Sequence, residues 1–84
     1  MKLYYITFRS VTFAQRAEKL LNTRDIHCDL QRTPRWMEAQ GCGYALRIRT
    51  REPETVVRLL KNHNVPMRRI YLQREDGELE EMTV

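Results

Sequence analysis

Cys42 and Cys28 are the side chains of this sequence best suited to nucleophilic chemistry, and their settings differ. Cys42 stands between Gly41 and Gly43. Flanking glycines have no side chains to shield the sulfur, and they let another backbone come close. Cys28 alternates in phase with Ile26 and Leu30, a strand position facing a core, where a thiol acts as a small hydrophobe. The competing role for Cys42 is a small residue in a tight turn. His27 and His63 are far apart and lack metal-ligand spacing. There is no GxGxxG, no phosphate loop and no zinc pattern, so the expectation is no metal and no cofactor.

Hydrophobic spacing lays out the elements that would position these residues. Leu3 to Phe8 is rich in β-branched and aromatic residues and reads as a strand. Thr12-x-x-Gln15 fits a capping box, with Ser10 as the alternative cap. Phe13, Ala14, Ala17, Leu20 and Leu21 follow at helical spacing. A second strand carries Ile26, Cys28 and Leu30 on one face, and Thr33-Pro34-Arg35 breaks it. A loop leads to Gly41-Cys42-Gly43, and Tyr44, Leu46 and Ile48 alternate in a third strand. Pro53 suits a first helical position, and Val56, Val57, Leu59 and Leu60 continue an apolar stripe ended by Asn64 and Pro66. Met67 to Arg74 reads as the last strand.

The order is βαββαβ. Leu20-Leu21 answers Leu59-Leu60 at an offset of 39 residues, a weak internal duplication. The expected fold is therefore α+β, a ferredoxin-like sandwich with a four-stranded antiparallel sheet and two helices on one face. Right-handed crossovers give the strand order 4-1-3-2. Residues 1–74 form the single domain of this reading, and 75–84 an acidic tail that frays or adds a short extension. Alternation does not say which sheet face the helices cover.

That topology sets the start of strand three beside the end of strand one. Cys42 is then expected near Phe8-Arg9-Ser10 and the N-terminus of the first helix. The helix terminus, Arg9 and Arg35 would all favour thiolate over thiol, and the thiolate is the nucleophile. If Thr33 stands roughly opposite Cys42, Cys28 lies about five residues down the ladder, or ~16 Å away. A disulfide needs Cα atoms within about 7 Å, so Cys42 would work alone.

Composition narrows the class. The chain has 84 residues and a net charge of +4. Glu75, Asp76, Glu78, Glu80 and Glu81 leave residues 1–74 with fifteen bases and six acids, a net +9. A basic body suggests an anionic partner, against the plainer reading of solvated surface arginines. Two well-separated cysteines, no signal-peptide pattern and no apolar run near ~20 residues lead to the expectation of a cytoplasmic protein with free thiols and no membrane span.

Tyr4-Tyr5-Ile6-Thr7-Phe8-Arg9-Ser10, Ala17-Glu18-Lys19-Leu20-Leu21, Thr33-Pro34-Arg35 and Cys42-Gly43-Tyr44-Ala45-Leu46-Arg47 together resemble the selenium/sulfur carrier-like family of small bacterial proteins. The resemblance covers most of residues 3–72. It implies a cytoplasmic protein whose Cys42 holds sulfur or selenium for donor and acceptor proteins, a carrier and not a stand-alone catalyst. Gly41, Gly43, Arg9, Ser10 and Arg35 would support it. The chain departs from the family in its loop, where Trp36 to Gln40 replace serine-rich residues.

Two other classes share this topology. RNA-recognition domains place aromatics on strands one and three, and Gly43-Tyr44-Ala45-Leu46 partly matches their signature. Leu46 and Arg49 stand where stacking aromatics belong, which disfavours nucleic acid. A regulatory or homodimerising module using an open sheet face is the other.

Overall fold

The computed structural model describes residues 2–33 and 43–82. The order is β1 (Lys2–Thr7), α1 (Val11–Thr23), β2 (Cys28–Arg32), β3 (Tyr44–Thr50), α2 (Pro53–Asn62), β4 (Ile70–Gln73) and β5 (Leu79–Met82). The sheet is antiparallel throughout, in the order β2-β3-β1-β4-β5. Its first four strands keep the expected 4-1-3-2 arrangement.

The expectation of four strands is corrected by β5. The acidic segment does not alternate cleanly between apolar and polar residues, so it gave no strand signal. It pairs with β4 from Ile70↔Met82 to Gln73↔Leu79. A turn at Gly77, with φ 87°, reverses the chain, and the Arg74 N–H donates to the Glu78 carbonyl at 2.8 Å. Glycine takes that left-handed conformation without steric cost.

The covered sheet face is now defined. Tyr4 and Ile6 of β1, Leu46 and Ile48 of β3 and Ile70 of β4 pack in one core with Ala14, Ala17 and Leu21 of α1 and Val56, Val57 and Leu60 of α2. Small residues at 14 and 17 let α1 lie close to the strands. Burying each large aliphatic side chain contributes roughly 1.5–3 kcal/mol. The other face carries a smaller cluster in which Ala45 and Tyr71 are buried, with Tyr5 and Leu79 packed against them.

Local chemistry sets the helix ends. Ser10, not Thr12, is the cap of α1: its backbone is extended and its Oγ accepts the Phe13 N–H at 3.2 Å. At the end of α2, the His63 N–H donates to the Leu59 carbonyl, whose oxygen also lies 3.0 Å from His63 Nδ1. Asn64 then turns the chain at φ 57°, a conformation asparagine tolerates.

Candidate functional site

The end of the sheet where β1 and β2 finish and β3 and β4 begin gathers the residues the sequence singled out. Thr7 is the last β1 residue in register with β3, opposite Ala45. Two residues beyond Thr7 is Arg9; two residues before Ala45 is Gly43. Arg9, Ser10 and Gly43 are thus brought to one edge. Arg35, Gly41 and Cys42 lie outside the described residues.

Gly43 fixes the geometry at the entry to β3. Its φ of 86° lies in the left-handed region that side chains disfavour. Its carbonyl accepts the Thr33 N–H at 3.1 Å, so Thr33 stands opposite Gly43, one residue along from the expected partner. Below this pair Arg32 faces Tyr44, and the Arg32 guanidinium sits 5.4 Å from the Tyr44 ring centroid. The Thr33 side-chain hydroxyl is buried and has no hydrogen-bond partner among the described residues.

The N-terminus of α1 adds a positive field. Its first turn holds no acidic residue, so nothing there offsets the partial charge of its N–H groups. Arg9 is exposed beside it.

Sequence reasoning missed three residues at this edge. Thr7 is buried, its N–H donates to the Arg69 carbonyl, and its carbonyl accepts the Arg68 N–H, both at 2.8 Å. The Arg69 N–H also reaches Thr7 Oγ1 at 3.1 Å. This clip carries Arg68 and Arg69 to the end of β1. The strand order 4-1-3-2 already contained that signal, because it sets the start of strand four beside the end of strand one. Arg69 is partly neutralised by Glu81 at 3.3 Å. The backbones of Arg9, Arg32, Arg68 and Arg69 therefore lie along the same end of the sheet as Gly43 and Thr33.

Cys28 is placed elsewhere, opposite Ile48 in the β2–β3 ladder. Five residues separate it from Thr33, which is ~16 Å along a strand. Its sulfur packs against the core, 3.7 Å from the Glu18 carbonyl and 3.6 Å from Asn22 Oδ1. Burial first, then the negative charges of Glu18 and Asp29, push its pKa up to about 11. It stays protonated at neutral pH and is a poor nucleophile.

Among the described residues, no group of three or more His, Cys, Asp and Glu side chains could hold a metal ion, and no helix is long and apolar enough to cross a membrane.

These features define a class: a small α+β domain with a cationic sheet end. The family described as "Putative Se/S carrier protein-like" matches residues 3–72, and the chain belongs to it. No curated protein and no solved structure matches the chain.

Proposed function

We propose that this domain carries sulfur or selenium on Cys42 and delivers it to a partner protein. The observation that carries the reading is that four arginine backbones and an acid-free helix N-terminus lie at the sheet end that holds Gly43, the residue bonded to Cys42. Membership of the carrier-like family supports it. The positive field favours a thiolate at Cys42 and an anionic adduct formed on it. Arg9 and Arg35 add charge. Ser10 Oγ already accepts the Phe13 N–H, but its O–H is still a donor. Gly41 and Gly43 leave room for the active site of a partner to approach.

The transfer balances without an added oxidant or reductant. The Cys42 thiolate attacks the terminal sulfur of a donor persulfide, R–S–SH. The donor S–S bond breaks and R–S⁻ leaves, while a new S–S bond leaves Cys42 as –S–SH. An acceptor thiolate removes the outer sulfur by the same displacement, restoring the Cys42 thiolate. With R–S–SeH as donor, the selenium atom moves in the same way. Cys28 takes no part, because it lies five residues along β2 from Thr33 and is held protonated. No base is needed for a thiol already ionised, so the chain acts as a carrier with no cofactor of its own. In this reading the protein works in the reducing cytoplasm.

Intact-mass measurement tests the proposal. After incubation with a cysteine desulfurase and cysteine, or with a selenium-delivering enzyme, wild-type protein gains one reducible sulfur or selenium atom. Cys42→Ser gains none. Equal loading of the variant, or no loading of wild type by any such donor, overturns the reading.

A further inference from the structure

Some cations of this chain are held in ion pairs and others are not. On the open sheet face and the β5 side, Arg47 pairs with Asp29, Arg69 with Glu81, and Arg74 with Asp76 and Glu80. On the helical side, Arg16, Lys19 and Lys61 are exposed and make no ion pair among the described residues. The acids at the helix ends, Asp25, Glu52 and Glu54, make no ion pair with these three cations. The nearest acid on α1, Glu18, points to β2, where its Oε2 accepts the Leu30 N–H at 3.2 Å.

Those helical cations rim an apolar groove. One cleft of ≈ 360 Å³ is lined by Arg16, Lys19, Leu20, Thr23, His63 and Val65. A second, of ≈ 390 Å³, is lined by Lys61, Val65 and Met67. Val65 lines both, so they adjoin. Met67 leads directly into Arg68, whose N–H is bonded to the Thr7 carbonyl. The groove therefore opens onto the sheet end that holds Gly43.

We infer that this groove docks an acidic amphipathic helix of the protein that exchanges sulfur or selenium with Cys42. The inference rests on the carrier reading for the identity of the partner, but not for the docking itself. An apolar stripe at i, i+3, i+4 and i+7 fits the Leu20–Val65–Met67 floor, and flanking carboxylates meet Arg16, Lys19 and Lys61. Single-stranded RNA fits less well, because His63 is the one ring lining these clefts and no Phe, Tyr or Trp joins it to stack successive bases. A membrane surface fits less well too. Val11 is the one large apolar residue that stands exposed among the described residues, and it lies outside the groove.

The experiment uses the full chain labelled with ¹⁵N and three probes: a synthetic amphipathic helix with glutamates beside a leucine stripe, an oligouridine, and phosphatidylglycerol vesicles. The glutamate helix is expected to shift the amide signals of Leu20, Val65 and Met67. Arg16→Glu with Lys19→Glu should weaken it at least tenfold, with unchanged circular dichroism. Polysulfide loading of Cys42 should be equal in that double variant and in wild type. Preferential binding of the oligouridine or the vesicles, shifts confined to other surfaces, or undiminished binding by the double variant overturns the docking inference. Failure of Cys42 to load in both proteins overturns the carrier reading and leaves the docking result standing.

Discussion

At the scale of single residues, the two thiols should separate cleanly. Cys42 is expected to react with iodoacetamide much faster than Cys28 in the folded protein at neutral pH. Peptide mapping after a short pulse checks this, and similar labelling of both would remove the division of roles. The motive at Cys28 is its raised pKa of about 11, caused by burial and then by Glu18 and Asp29. The same shift links Cys28 to stability. Folded protein keeps this proton up to about pH 11, whereas an ordinary thiol loses it near 9.0. Between those values the folded state binds more protons than the unfolded state, so stability falls as pH rises. The contribution is complete below pH 9 and is lost as pH passes through the folded value. Urea unfolding midpoints should therefore drop less from pH 8.5 to 10.5 in Cys28→Ala than in wild type, roughly in proportion to the extra proton held. Parallel drops would mean that Cys28 titrates normally. The inward side of Cys28 was legible from its alternation with Ile26 and Leu30. The Glu18 charge that helps hold it protonated was not, because Glu18 meets β2 only once α1 has packed.

At the scale of elements, helix α1 depends on one cap. Ser10 Oγ accepts the Phe13 N–H, and no acidic residue in the first turn helps it. Ser10→Ala should cost about 1 kcal/mol in urea unfolding, whereas Thr12→Ala should cost little. The opposite ranking would restore the capping box at Thr12. The sequence offered both, and the choice was made by the bend after Thr7, which starts the helix one residue after Ser10. The apolar periodicity of α1, α2, β1 and β3 was plain to read, because each buries one face. Strand β5 was illegible for the opposite reason. Glu80 and Glu81 are exposed, and the strand is held by backbone pairing to β4, by Leu79 and Met82, and by ion pairs with Arg69 and Arg74. Exposed pairs of this kind contribute only about 0–1 kcal/mol each, too little to impose a pattern on the sequence. The open sheet face likewise had to wait for the structure, since alternation in β1 and β3 supplied two faces without saying where the helices lie.

At the scale of the molecule, net charge and charge placement lead to different expectations about nucleic acid. A net +9 over residues 1–74 would suit a polyanion. The structure spends part of that charge: Arg47, Arg69 and Arg74 are engaged by carboxylates. Tyr44, the aromatic that matched the RNA-recognition signature, shares strand parity with Leu46 and Ile48 on the helix-covered side and has Arg32 beside its ring. Among the described residues, the aromatics of the other face are Tyr5, half-buried, and Tyr71, only 6% exposed, too few to offer successive bases a stacking surface. What is left for RNA is a diffuse electrostatic attraction, whose dependence on salt follows the number of phosphates engaged. Fluorescence anisotropy with a labelled single-stranded RNA should show weak binding at low salt. Raising salt to physiological strength should lose most of it, and Tyr44→Ala should change it by less than about twofold, since base stacking on an aromatic would be worth about 1–3 kcal/mol. Charge reversal at Arg16 and Lys19, which have no carboxylate partner among the described residues, should reduce the residual binding more than any change at Tyr44. Tight binding that survives physiological salt and collapses in Tyr44→Ala would show Tyr44 reaching RNA, and would make RNA recognition the better account of the sheet.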